Sequence, residues 1–370
     1  MSQAETIAPI RPISADSHVC EPPNCFIDNI EPAYRADAPR VERHDGVDKY
    51  IIKDFASIAM PLVAAAGRDP REVGAKYTTY DEMWAGGWDP KARLGDQDRD
   101  GVAAEVIYPT IGMALCALAD DDYKQACMWA YNRWLQEFVS SSPDRLYGIG
   151  QTAVRSVPEA IEDFRRIKEM GFKGVMLPAV PATEEDYDHT SFAPLWSAAV
   201  ELGLPISFHI LTGKGEVNRG PAINMWNGVM RGVQDIIGMF IFSGVFDRHP
   251  KLKLVCVEGD AGWVPHFAHR LDHIYNRHRY VKKCKELSRL PSEQLFENVF
   301  LTFQDDLVAF QVAHLLNPKR LMWANDFPHN DSTWPNSQKL LAEQTKDLSG
   351  ENKRSILRDN VRELYSLTCN

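Results

Sequence analysis

The stretch LYGIGQTAVRSVPEAIEDFRRIKEMGFKGVMLPA, residues 146–179, contains a strand, a helix and a second strand in succession. Residues 146–154 and 172–179 are short apolar runs of the length that a buried strand needs. Between them, the helical pattern from Val157 to Met170 has Pro158 in its first turn, and Gly171 ends it. The stretch therefore predicts two parallel strands connected by a helix.

The same order of elements recurs along the chain, and seven of eight apolar runs are followed by a helical pattern. Ala119 to Ser140 shows the helical period most clearly, because its apolar residues form one face. The eight runs are 12–18, 102–109, 146–154, 172–179, 205–210, 252–259, 299–306 and 321–328. Eight such units predict an α/β protein with a (β/α)8 TIM barrel. An open doubly wound sheet is the alternative, which the lack of a GxGxxG turn after an early strand disfavours.

Residues 21–100 do not follow this alternation and are rich in proline and charge. Long structured loops in compact domains are usually functional. We expect a single barrel domain over residues 1–370, with 21–100 as an insertion between the first two strands. This insertion would be a lid over the barrel mouth or an oligomerisation surface. Trp84 and Trp88 would contact another subunit or line the substrate pocket.

Composition excludes several classes of partner. The 370 residues include 41 Lys and Arg against 51 Asp and Glu, a formal charge of −10, without a basic run that would bind nucleic acid. No apolar run reaches the length of a membrane span. The seven cysteines are scattered without a CxxC pair, and the N-terminal residues lack a signal-peptide pattern. We therefore expect a cytoplasmic protein with a small-molecule substrate.

Acidic and imidazole side chains end four of the predicted strands. Asp16 and His18 are two residues apart, so both face the same side of the first strand. Carboxylates and imidazoles at one end of a barrel are typical ligands of Zn, Mn or Fe, and burying them without a cation is costly. The candidate ligands and catalytic groups are Asp16, His18, Glu21, His209, Glu258, Asp326 and His329.

Three candidates have alternative interpretations. Glu21 would be a metal ligand or would cap the turn into Pro22 and Pro23. His329 would take part directly or would hold Asp326 in place. His266 lies in the first turn of a predicted helix, nearest the mouth of the sixth strand, and would be an extra ligand or an acid/base.

Four motifs together resemble one known family. They are ISADSHVCEPP (13–23), LPISFHI (204–210), VEGDAGWVPHFAHRLD (257–272) and LMWANDFPHNDSTWP (321–335). These motifs resemble the amidohydrolase-related family, which includes γ-resorcylate decarboxylase and aminocarboxymuconate semialdehyde decarboxylase. The resemblance implies a distorted (β/α)8 barrel, one divalent metal ion (usually Zn or Mn) and assembly as a homo-oligomer, a dimer or larger.

The resemblance also assigns the ligands. The family's His-x-His or Glu-x-His motif falls on Asp16 and His18, its middle histidine ligand on His209, and its last aspartate ligand on Asp326. Decarboxylating members commonly have a catalytic histidine where this chain has Glu258. The ADSHxxEP variant also resembles a branch with a dinuclear non-haem iron or iron/manganese centre that hydroxylates C–H bonds, with Glu21, Glu258 and His266 as extra ligands.

These observations leave competing functions open. The first is a metal-dependent hydrolase or decarboxylase of a small carboxylated substrate, with Asp326 as base and Glu258 or His329 as acid. The second is a dinuclear oxygenase, which needs two ions and an electron donor. The third is a non-catalytic barrel with a structural metal. Substrate specificity would depend on the insertion and on Lys214, Arg219, Met225 and Trp226.

Overall fold

Eight parallel strands form a nearly closed barrel in the computed structural model, which describes residues 10–60, 63–213 and 220–369. The gap between the first and last barrel strands is bridged by two backbone hydrogen bonds, from Asp326 N to Asp16 O at 3.1 Å and from His18 N to Phe327 O at 2.7 Å. The barrel strands are β1 (Ile13–His18), β5 (Ala104–Tyr108), β6 (Leu146–Gln151), β7 (Gly174–Met176), β8 (Ile206–His209), β9 (Leu254–Val257), β10 (Val299–Phe303) and β11 (Leu321–Trp323). Each lies within one of the predicted apolar runs, which confirms the (β/α)8 barrel.

Helices occupy the connections between these strands. In the described residues they are α1 (Cys25–Asn29), α2 (Pro90–Asp100), α3 (Ile111–Leu115), α4 (Asp121–Ser140), α5 (Val157–Glu169), α6 (Ala193–Leu202), α7 (Met230–Phe242), α8 (Val245–Arg248), α9 (Val264–His278), α10 (Pro291–Asn298), α11 (Leu307–Gln311), α12 (Ser337–Gln344), α13 (Gly350–Arg354) and α14 (Asn360–Leu364). The predicted helices appear as α4 and α5, which begin after the capping side chains of Asp120 and Ser156.

The insertion after β1 contains a small antiparallel sheet. Its strands are β2 (Arg40–His44), β3 (Val47–Ile51) and β4 (Ile58–Ala59). The insertion contacts the mouth of the barrel, because Ala66 N donates to Pro328 O at 3.0 Å and Tyr80 Oη donates to Cys20 O at 3.0 Å. The predicted segment 21–100 also includes α2, which belongs to the helix layer of the barrel.

Both tryptophans of the insertion pack within the chain. The ring of Trp84 lies 4.8 Å from that of Trp334, and its indole nitrogen donates to Ala66 O at 2.7 Å. The ring of Trp88 lies 4.1 Å from that of Tyr80. These contacts pack the insertion against itself and against the loop after β11, and the role of Trp84 and Trp88 in a subunit interface or in the substrate pocket stays a prediction.

No helix of the described segments is long and apolar enough to cross a lipid bilayer.

The residues proposed to determine substrate specificity lie in the loop after β8. Met225 and Trp226 lie on a short 3-10 helix, Ala222–Gly228, and are 37% and 57% exposed. Lys214 and Arg219, the cations proposed for a carboxylated substrate, fall outside the described residues.

Candidate metal centre

The end of β1 carries two buried side chains toward the barrel axis. Asp16 and His18 are both fully buried, and Nε2 of His18 lies 3.3 Å from Oδ1 of Asp16. The pairing of β1 with β5 shifts register between Ser14 and Ser17, so Asp16 lies within an irregular segment of the strand. The predicted shared orientation of Asp16 and His18 is therefore found despite this irregularity.

The imidazoles of His18 and His209 are each held from behind by a backbone carbonyl. Nδ1 of His18 lies 2.9 Å from Pro109 O, and Nδ1 of His209 lies 3.0 Å from Ile210 O. A carbonyl accepts only, so each Nδ1 carries a proton and each Nε2 is free to bind a metal. The two Nε2 atoms lie 3.2 Å apart and are directed at the same point. Both histidines are thus oriented as metal ligands.

Two carboxylates approach this point from the ends of strands β9 and β11. Asp326 is fully buried, and its Oδ1 lies 3.5 Å from Nε2 of His18. Oε2 of Glu258 lies 3.5 Å from Nε2 of His209. Both residues have positive φ angles, 54° for Asp326 and 56° for Glu258, which non-glycine residues adopt rarely and mostly at functional sites. The backbone is strained where it presents these two side chains.

The ligand atoms form two overlapping groups, in each of which all atoms lie within 4.8 Å of one another. The first group contains Asp16, His18, His209 and Glu258, and the second contains His18, Glu258, Asp326 and His329. His18 and Glu258 belong to both groups. Six of the predicted residues are therefore brought together.

Unpaired oxygen atoms show that this donor set suits a cation. Oδ1 of Asp16 and both carboxylate oxygens of Asp326 are buried and accept no hydrogen bond from the described residues. Nδ1 of His329 lies 3.0 Å from Oδ1 of Asp326, but without hydrogen-bond geometry. Buried carboxylate oxygens without donors are costly, and a divalent ion would satisfy them.

The pKa values indicate that some of these carboxyl groups bind protons more readily than usual when no metal is bound. Burial above all, then the charge of Asp326, raises the pKa of Glu258 well above its ordinary value, and burial and Asp16 do the same for Asp326. Burial opposes ionisation of Asp16, but the neighbouring imidazoles of His18 and His209 outweigh it and lower its pKa. Burial and the charge of His329 lower the pKa of His18 to about 3. Metal binding would release the proton from any of these carboxyl groups that becomes a ligand.

Glu21 is buried close to the end of β1 but does not join either group of ligand atoms. Its two carboxylate oxygens accept hydrogen bonds from Ile111 N at 3.0 Å and from Gly112 N at 3.2 Å. Burial raises its pKa to about 7, against the opposing effect of these amides. Glu21 therefore caps the first amides of α3 and not the turn at Pro22, and its role as a ligand stays a prediction.

His266 also stays outside the cluster. It lies in the first turn of α9, as predicted, but its side chain is exposed and belongs to neither group of ligand atoms. The direction in which a helix leaves the barrel mouth decides whether its first turn reaches the site, and the sequence pattern does not contain that direction.

Three supporting residues were not predicted from sequence. Oγ1 of Thr302 lies 3.4 Å from Oδ2 of Asp16 and accepts from Glu258 N at 2.8 Å. Thr110 Oγ1 lies 2.9 Å from Nε2 of His329. Thr302 could have been found, because it is the one polar residue within 299–303, whereas the loop position of Thr110 carries no signal.

Arg93 of α2 is the third supporting residue. It is fully buried and donates to Glu105 Oε2 at 2.5 Å, to His18 O at 2.7 Å and to Phe327 O at 3.3 Å. The guanidinium of Arg93 thus connects the backbone carbonyl of His18 to that of Phe327, the residue after Asp326. Planar guanidinium groups suit such multiple contacts.

A barrel with buried carboxylates and imidazoles at the carboxyl ends of its strands defines a class of protein, the (β/α)8-barrel enzymes, whose active sites lie at this end. The profile of the amidohydrolase family, described as "Amidohydrolase", matches residues 33–367. The chain therefore belongs to the amidohydrolase family, which confirms the resemblance of its motifs and makes it an enzyme.

Three proteins are similar to this chain, one in sequence and two in solved structure. The chain is 24% identical over 291 residues to 2-amino-3-carboxymuconate-6-semialdehyde decarboxylase from Dictyostelium discoideum, a match that covers 76% of this chain and 78% of the relative. An amidohydrolase from Mycobacterium avium subsp. paratuberculosis has a TM-score of 0.77 at 21% identity, over 97% of this chain and 100% of that one. The 5-carboxyvanillate decarboxylase from Novosphingobium aromaticivorans, solved with manganese and 4-hydroxy-3-methoxy-5-nitrobenzoic acid, has a TM-score of 0.64 at 21% identity, over 74% and 79%. At such identities the solved structures show the shared fold.

Proposed function

We propose that this enzyme is a metal-dependent decarboxylase of a small aromatic carboxylic acid. The observation that carries the proposal is the pair of overlapping groups of ligand atoms that contain Asp16, His18, His209 and Asp326, together with the unpaired carboxylate oxygens of Asp16 and Asp326. The two named decarboxylases among the similar proteins support the reaction, and the bound manganese in one of them supports Mn as the ion.

The four ligands would hold one divalent ion of Zn, Mn or Fe. Bound there, the ion would act as a Lewis acid toward the substrate carboxylate and a neighbouring hydroxyl group. The remaining task for the protein is to supply a proton to the ring carbon that loses CO2, because that carbon keeps the electron pair of the broken C–C bond.

Glu258 suits this proton transfer better than His329. Burial and the neighbouring charge of Asp326 raise the pKa of Glu258, which favours the protonated carboxyl group that a proton donor needs. Burial and the charge of His209 lower the pKa of His329 to about 3, so its imidazole is neutral. His329 instead stacks on His18 with ring centroids 4.0 Å apart and holds its Nδ1 beside Asp326. We assign Glu258 as the acid and His329 as a positioning residue.

The first test measures CO2 release from 2,6-dihydroxybenzoate and related hydroxybenzoates by the Mn-loaded enzyme. We expect wild type to release CO2, and Glu258→Gln to lower kcat by about 10²- to 10⁴-fold, the usual contribution of a general acid, with unchanged metal content. His266→Gln, an exposed position on α9, is the control and should keep full activity.

Two results would contradict this assignment. Loss of metal from Glu258→Gln would make Glu258 a ligand instead of the acid. Consumption of O2 with a second metal ion and without CO2 would favour the oxygenase, an alternative that the three similar proteins do not support because none is named as one.

A further inference from the structure

Gln304 follows directly after β10 and contains a buried acceptor that nothing in the described residues satisfies. Gln304 is only 5% exposed, and its Oε1 has no hydrogen-bond partner among the described residues. Buried polar atoms in folded proteins are nearly always paired with protein, water or ligand. The unpaired oxygen therefore requires an explanation.

The orientation of β10 directs Gln304 toward the site. Thr302 faces the barrel interior, because its hydroxyl contacts Asp16 and the backbone of Glu258. Phe303 faces the helix layer, where its ring lies 5.2 Å from that of Phe310. Gln304 lies one residue beyond the strand, and its amide contacts Asp331 of the loop that follows Asp326. The contact of Thr302 with Asp16 and the contact of Gln304 with the loop after Asp326 place Gln304 beside the ligand cluster.

A neighbouring carboxylate identifies which end of the amide is unpaired. Nε2 of Gln304 donates to Oδ2 of Asp331 at 3.4 Å. An ionised carboxylate only accepts, so the nitrogen must face Asp331 and the oxygen must be the free atom. Asp331 is an exposed residue on the loop that follows Asp326.

The charges around this oxygen select the kind of group it takes. Asp331 is acidic, so an anionic oxygen would be repelled at this position. A neutral or cationic donor, such as a phenolic hydroxyl or an amino group, can donate to this oxygen and is not repelled by the nearby negative charge.

We propose that Oε1 of Gln304 accepts a hydrogen bond from a hydroxyl or amino group of the bound carboxylic acid, which makes Gln304 a residue that determines substrate specificity. The inference rests on the proposed function, because it takes the substrate carboxylate to lie at the ligand cluster. Acids without such a donor leave the oxygen unpaired and bind less well.

The test uses Gln304→Met, which keeps the length of the side chain and removes the acceptor. Calorimetric titrations of Mn-loaded protein with 2,6-dihydroxybenzoate and with benzoate, all in the Glu258→Gln background so that the dihydroxy acid is not turned over, measure the preference for the hydroxylated acid. A hydroxyl bound at the metal contributes equally in both proteins and cancels in the comparison. We expect Gln304→Met to lose about 5- to 10-fold affinity for the dihydroxy acid, with benzoate binding unchanged.

Gln344 on α12 offers a matched control. Its Nε2 donates to Asp305 at 2.5 Å and its Oε1 is also unpaired, but it lies on the outer helix layer. Gln344→Met should bind both acids as wild type does. Metal content and melting temperature of both variants show whether the fold and the ligand cluster are intact.

The outcomes separate the inference from the proposed function. If Gln304→Met keeps the wild-type preference, or loses affinity for both acids equally, the inference is wrong and the proposed function stands; a water molecule would then satisfy the amide oxygen. If intact wild type binds neither acid, the proposed function is wrong and the inference is wrong with it.

Discussion

Single side chains are oriented for metal binding by groups behind them. Pro109 O and Ile210 O hold the Nδ1 protons of His18 and His209, which leaves the two Nε2 atoms facing each other at 3.2 Å. Two lone pairs at this distance repel each other unless a proton or a cation lies between them. The arrangement therefore favours the metal-bound state.

Removal of one imidazole should remove the ion. We expect His209→Ala to retain less than about a tenth of the metal that wild type binds, because the loss of a ligand leaves the carboxylates without an oriented partner. Plasma mass spectrometry of the purified variants measures the metal content. The matched control is His266→Ala, whose exposed side chain lies outside the cluster and whose metal content should equal that of wild type. A metal-replete His209→Ala would refute the ligand assignment.

The residue-level assignments could be predicted where sequence position alone decides them. Asp16, His18, His209, Glu258 and Asp326 were predicted because each ends a parallel strand, and all such ends meet at one edge. The partners of Glu21 were not predicted, since they are backbone amides some 90 residues away along the chain. Backbone amides carry no signature in a sequence.

Helix α2 is the element that connects the insertion to the barrel. Its Arg93 side chain and Glu105 of β5 form a buried ion pair, 0% and 1% exposed, with Nε and Oε2 2.5 Å apart. Gln97 donates to the same carboxylate oxygen at 2.7 Å. A buried pair of this kind makes one element depend on the other, because neither charge can remain alone.

Disruption of this pair should destabilise the fold. We expect Arg93→Met to lower the free energy of unfolding by about 3–5 kcal/mol, because it leaves the charge of Glu105 buried without a partner. Urea denaturation measures the effect. The double variant Arg93→Met/Glu105→Gln removes the charge and keeps an acceptor for Gln97, so it should recover part of the loss. A double variant no more stable than Arg93→Met would show that the backbone contacts of Arg93, and not its charge pairing, are what matter.

At the scale of the whole molecule, the barrel could be predicted because each strand is a separate apolar run. The end of the insertion was less predictable. Residues 90–100 are polar and charged, so they resemble the rest of the insertion, yet Arg93, Gln97 and Asp100 are buried by polar partners in the barrel. Helices buried through polar networks lack the apolar period on which the prediction relied. Homo-oligomerisation and a cytoplasmic location stay predictions.

The most direct test of the account is the metal content of the wild-type protein, purified without chelators and measured by plasma mass spectrometry. The four ligands and the unpaired oxygens of Asp16 and Asp326 predict about one divalent ion per chain, Mn or Zn before others. Two ions per chain with iron among them would contradict the mononuclear decarboxylase. Protein that contains no metal, and gains none on incubation with Mn²⁺ or Zn²⁺, would contradict the metal centre itself.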